Sequence, residues 1–202
     1  VAVALDGSAG TAGEATGDIL DTIERLIGSD YADTLGGSSG DDTIVANAGN
    51  DSIDGGLGND TLQGGAGDDT ITGGAGADVI DGGAGTDTAT YANAGAAVTV
   101  YLDGTSGSRG DAQGDVLTSI ERLVGSAFDD RLTGANGSET LLGGAGNDVI
   151  QGGGGDDTLM GEAGDDTITG GAGADTIDGG AGYDIASYAT SLAGVNIRLD
   201  GT

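Results

Sequence analysis

Residues 55–90 read GGLGNDTLQGGAGDDTITGGAGADVIDGGAGTDTAT: a Gly-Gly pair returns every nine residues, and an Asp stands five residues after the first Gly of each pair. Numbered from that Gly, the unit extends outward in both directions. Seven copies run without a gap from Gly28. Position six is Asp33, Asp42, Asp51, Asp60, Asp69, Asp78 and Asp87; position eight is Leu35, Ile44, Ile53, Leu62, Ile71 and Ile80, fading to Ala89. A second array starts at Gly125. Its sixth positions are Asp130, Glu139, Asp148, Asp157, Asp166, Asp175 and Asp184, and its eighth are Leu132, Leu141, Ile150, Leu159, Ile168, Ile177 and Ala186.

The arrays themselves recur at a spacing of 97 residues. VAVALDG at Val1 returns as VTVYLDG at Val98 and VNIRLDG at Val195; GDILDTIERLIGS at Gly17 returns as GDVLTSIERLVGS at Gly114. The chain therefore divides into a module at 1–97 (repeats 28–90), a module at 98–194 (repeats 125–187), and the first strand of a third at 195–202. The start in mid-pattern is expected of a segment of something longer. The nine-residue frame also runs back one copy before each array, placing Glu24 and Glu121 on position six and Leu26 and Leu123 on position eight. A short amphipathic helix fits Ile19, Leu20, Ile23, Leu26 and Ile27 as well. The alternating stretches TYANAGAAVTVYLDG and SYATSLAGVNIRLDG read as exit strands closing each stack, with Tyr91 and Tyr188 plugging the last coil.

Composition narrows the function. Of 202 residues, 46 are Gly and none is Pro; 34 acids face five Arg and no Lys, a formal charge of −29. Nucleic acid and anionic membranes need a basic face and are poor partners; cations are the natural ones. There is no Cys and no His, which removes disulfides, thiolate and imidazole metal sites, and most general-base chemistry at neutral pH. The chain is not expected to be an enzyme, because no nucleophile–base pair can be assembled without His, Cys or Lys.

A nine-residue period leaves no room for a helix. The tripeptides TLQ, TIT and VID favour strand, and the Gly-rich lead-in favours a turn with φ > 0 and close backbone approach. Two units then make one coil, with position eight pointing inward between two parallel sheets and neighbouring coils roughly 4.8 Å apart. Carboxylates two repeats apart, such as Asp60 and Asp78, would stack along an edge. At that spacing they repel by about 1 kcal/mol in water and about 3.5 kcal/mol at an effective dielectric of 20. Calcium, a hard ion taking six to eight oxygens from carboxylates and carbonyls, suits such a ladder better than magnesium. The position-five acids Asp41, Asp68, Asp129, Asp156 and Asp165 are irregular and read as solvated charge.

The pattern GGxGxDxUx, with U a large aliphatic, resembles the RTX calcium-binding repeat family. That resemblance implies an all-β, right-handed parallel β-roll that binds several Ca2+ ions between turns two repeats apart. The implied ligands are the position-six aspartates named above and carbonyls of Gly56, Gly58, Gly65, Gly67, Gly74 and Gly76, with Gly144, Gly146, Gly153, Gly155, Gly171 and Gly173 in the second array. It further implies a secreted or cell-surface protein exported by a type I secretion system and folding outside the cell. A spacer or ligand-binding segment of a surface adhesin, with an extracellular glycan or surface partner, or an accessory domain of a secreted exoenzyme, are the alternatives. The pattern departs at GSDYAD (28–33), GSAFDD (125–130), ANAGND (46–51) and Glu139.

Overall fold

The structure, a computed structural model, describes residues 1–191. The third-module strand expected at 195–202 lies outside the described residues. Strands dominate, and all their pairings are parallel. Successive coils pair at a register of 18 residues: Thr61 opposite Val79, Leu62 opposite Ile80. Two nonapeptides therefore make one coil, as the period predicts.

One long sheet takes every second repeat. Its strands are Ala2–Ala4, Thr34–Gly36, Ser52–Leu57, Thr70–Ala75 and Thr88–Thr90, continuing as Arg122–Val124, Thr140–Ala145, Thr158–Ala163 and Thr176–Asp178. Two shorter sheets take the other repeats. The first holds Arg25–Ile27, Thr43–Ala48, Thr61–Ala66, Val79–Ala84 and Val116–Thr118; the second holds Thr99–Tyr101, Arg131–Thr133, Val149–Gly154, Thr167–Ala172 and Ile185–Ala186. The long sheet thus passes from the first array to the second without a break.

Position eight fills the space between the sheets. From Leu35 to Ile168 these side chains are at most 1% exposed. Each inward aliphatic stacks on the one 18 residues away in its own sheet, so two facing columns of Leu and Ile form the core of each array. Full burial of each contributes roughly 1.5–3 kcal/mol.

Two expectations are corrected. The segments before each array are strands at Arg25–Ile27 and Arg122–Val124, with Leu26 and Leu123 buried, so the helical alternative falls. Residues Thr99–Tyr101 do not close the first stack. They pair with Arg131–Thr133 and open the second short sheet, just as Ala2–Ala4 pairs with Thr34–Gly36. The first stack is covered instead by Val116–Thr118 on Val79–Asp81 and by Arg122–Val124 on Thr88–Thr90.

Candidate metal centre

The turns are set by glycine. All twelve glycines expected to present carbonyls have φ between 98° and 153°. L side chains rarely adopt this region. Space forbids a side chain as well: a Cβ on Gly74 would strike the carbonyl of Gly56 in the coil before, and one on Gly67 would strike the carbonyl of Gly49. Positions two and four are glycine because neighbouring turns nearly touch there. The carbonyl of a position-two residue accepts the position-three amide of the next coil, as Ser38 does from Leu57 at 3.0 Å. A carbonyl oxygen has two lone pairs, so a second interaction remains open to it.

The position-six aspartates form the ladders the period predicts, and from Asp33 to Asp166 they are buried. Asp60, Asp69, Asp78 and Asp87 are at most 1% exposed. Each carboxylate is tied to the previous coil by one oxygen. The Asp42 amide donates to Asp60 Oδ1 at 2.8 Å, and the Asp60 amide to Asp78 Oδ1 at 2.9 Å. The other edge runs Asp33, Asp51, Asp69, Asp87. In the second array Asp130, Asp148, Asp166 and Asp184 form one ladder and Glu139, Asp157 and Asp175 the other. The backbone amides thus offset part of the repulsion that stacking would cause.

The second carboxylate oxygen divides the twelve turns with a buried position-six acid into two kinds; Asp175 and Asp184, only partly buried, belong to neither. In eight of them, at Asp51, Asp60, Asp69, Asp78, Asp87, Asp148, Asp157 and Asp166, Oδ2 is buried and accepts no hydrogen bond. In the first two turns of each array the amide of position two closes it. Ser29 donates to Asp33 Oδ2 at 2.6 Å, Ser38 to Asp42 Oδ2 at 2.6 Å, Ser126 to Asp130 Oδ2 at 2.5 Å, and Ala135 to Glu139 Oε2 at 3.3 Å.

A buried, unpaired carboxylate oxygen is costly. Burial pushes Asp60, Asp78 and Asp87 up to about 6 and Asp148 up to about 7, with neighbouring carboxylates adding to the shift. Burial likewise raises Asp51, Asp69, Asp157 and Asp166.

The open oxygens do not stand alone. A methyl-sized atom on Gly55 would lie 2.5 Å from both Asp60 Oδ2 and the carbonyl oxygen of Gly73 in the next coil. Gly64 stands in the same relation to Asp69 and Gly82, and Gly152 to Asp157 and Gly170. Oxygens from adjacent coils therefore converge beside these position-one glycines, which have no Cβ to fill the gap. Among the described residues no three carboxylates converge. The donor set is mixed carboxylate and carbonyl, all hard oxygen, which is the chemistry of calcium rather than of zinc.

Several contributors escape the nonapeptide frame. Asp115 Oδ1 accepts the Asp78 amide at 2.9 Å, and its Oδ2 accepts the Tyr91 hydroxyl at 2.7 Å. Asp115 is fully buried and continues the ladder across the junction, and Tyr91 is the plug expected of it. The only sequence signal was the recurrence of Gly17-Asp18 as Gly114-Asp115. Glu121 accepts the Asp87 amide and continues the other ladder, from the position its frame predicts. Position-one carbonyls were not foreseen. Position five also departs from expectation: Asp41, Asp68, Asp129, Asp156 and Asp165 are exposed but not merely solvated. Each accepts a position-five amide of the next coil, as Asp41 does from Asn59 at 2.7 Å.

A nine-residue unit with an inward aspartate, left-handed glycines and paired parallel sheets defines a metal-binding β-roll. The sequence matches the RTX calcium-binding nonapeptide repeat in four copies, over residues 27–62, 54–89, 115–150 and 151–186. These cover well over half of the chain, which therefore belongs to the RTX calcium-binding repeat family. No curated protein matches the chain.

Proposed function

We propose that this calcium-binding β-roll module belongs to a secreted or surface protein, and that it completes its folding on meeting calcium outside the cell. The observation that carries the reading is the row of buried, unpaired Oδ2 atoms, of which those of Asp60, Asp69, Asp148, Asp157 and Asp166 lie beside a carbonyl of the next coil. Bound there, calcium supplies the positive charge and the extra coordination that the chain, with no Lys, does not provide.

The residues divide the work. Position-six Oδ1 holds the register to the previous coil. Position-six Oδ2 and the turn carbonyls gather the ion. Left-handed glycines let the coils approach closely enough for one ion to touch two of them. Where calcium is scarce, as in cytosol, the ladder repels itself and the chain stays open, a state suited to export through a type I secretion channel. At millimolar extracellular calcium, binding to the folded form alone pulls the equilibrium over. The absence of His, Cys and Lys supports a non-catalytic role. In the described residues no helix is long and apolar enough to cross a membrane. The long sheet, unbroken across both arrays, favours a rigid spacer in a surface adhesin over a flexible linker.

A calcium titration followed by far-UV circular dichroism tests the reading. β-structure is expected to rise with calcium and not with equimolar magnesium. Equal gain with both ions, or full β-signal in excess chelator, sinks it.

A further inference from the structure

We infer that the residue at position two of each turn decides whether that turn takes a calcium ion, and that the turns at 28–33, 37–42 and 125–130 take none although each carries the position-six Asp. The inference rests on the calcium reading above and refines it.

The correlation is complete over the buried turns. Every turn with an open Oδ2 has a left-handed residue at position two: Gly56 at 98°, Gly65 at 109° and Gly144 at 106° are examples. Two of these residues are not glycine. Asn47 at 80° and Glu162 at 73° adopt the same conformation, and Asp51 and Asp166 in their turns have open oxygens. Asn47 is held there by its side-chain amide, which donates to the Gly28 carbonyl at 2.8 Å. Ser29, Ser38 and Ser126 are not left-handed, and their amides point inward onto the carboxylate of their own turn.

The consequence is electrostatic. An N–H 2.5–2.6 Å from Oδ2 occupies the lone pair a metal would use. It also presents its positive end toward the point where the ion would sit. Turning that peptide away requires the left-handed conformation that Ser disfavours. The Gly-Gly doublet is thus not needed as such. What matters is the peptide orientation that it permits, which Asn47 and Glu162 reach without it. Each array accordingly starts on turns whose carboxylates are closed by the chain itself, and its ion-dependent turns are laid on top.

Crystals of the chain grown in calcium, with anomalous difference maps, decide the matter without altering the protein. Peaks are expected between Asp60 Oδ2 and the Gly73 carbonyl and between Asp69 Oδ2 and the Gly82 carbonyl. None is expected between Asp42 Oδ2 and the Gly55 carbonyl, or between Asp130 Oδ2 and the Gly143 carbonyl. Peaks of similar height in both sets overturn the inference; peaks in neither overturn the calcium reading on which it rests. In solution, native mass spectrometry should count as many ions on Asp42→Asn and Asp130→Asn as on the unaltered chain. The loss of an ion from either variant rejects the inference.

Discussion

The first two turns of each array and the turns above them share the same inward carboxylate and the same 18-residue stacking, yet they satisfy that carboxylate in opposite ways. At 28–42 and 125–139 the chain closes the second oxygen with the position-two amide of the same turn. At 46–87 and 143–166 one oxygen is left buried and unpaired. The difference arises one residue after each turn begins. A position-two residue with negative φ aims its amide at the carboxylate; one with positive φ aims it away. Each array thus has a base whose carboxylates the chain closes itself and a body whose carboxylates keep one oxygen open.

The largest test of that contrast is metal removal. In excess chelator, hydrogen exchange should show protection lost first and most from 52–90 and 143–187, and last from 28–45 and 125–142. Uniform loss across all turns would break the comparison. Next in size is a pair of glycine substitutions. Gly74→Ala puts a side chain at φ 99° against the Gly56 carbonyl and should cost about 3 kcal/mol in calcium. Gly40→Ala, in a self-closed turn with open space, should fall within about 0.5 kcal/mol. Urea midpoints of the two variants measure both.

A smaller effect separates the carboxylates themselves. Asp78→Asn keeps an acceptor for the Asp60 amide while removing a buried charge, so in chelator it should stabilise by on the order of 1 kcal/mol. In calcium the same change should destabilise. Asp42→Asn, whose charge already has a donor, should show no such reversal. A reversal in both variants would erase the distinction.

Finest is the pH dependence. The open carboxyls have folded-state pKa values raised above the unfolded value of 3.8, to about 6 at Asp60, Asp78 and Asp87 and about 7 at Asp148. Folding therefore binds protons, and the stability this gives the metal-free form is complete below about pH 4 and lost as pH rises through 6 to 7. Urea midpoints in chelator should drift down across that window. In saturating calcium the drift should vanish or invert, because the ion requires the ionised form. A metal-free midpoint that rises between pH 5 and pH 7.5 would contradict the raised values.

Much of this was legible in the residues. The nine-residue spacing of Asp60, Asp69 and Asp78, with Leu62, Ile71 and Ile80 two places on, fixes strand, turn, inward face and two-repeat coil, because only a short strand and a tight turn fit that period. It could not reveal which way a peptide faces. Asp33 and Asp42 read the same as Asp60 in the motif, and the difference lies in a dihedral angle at Ser29 and Ser38. Asp115 and Tyr91 stand outside the frame, and only packing at the junction shows that they continue and close a ladder. The position-five acids looked irregular because Asn50, Asn59, Asn147 and Ser138 perform the same acceptor role there.

What the sequence determined by itself is periodic: the solenoid, its apolar column and the file of carboxylates, since a repeat forces equivalent residues into equivalent places. What the tertiary structure decided is local and aperiodic: which carboxylates are closed, where one array passes into the next, and which strand opens a sheet. Those outcomes depend on the orientation of single peptide groups and on contacts between segments dozens of residues apart, which a repeating pattern does not encode.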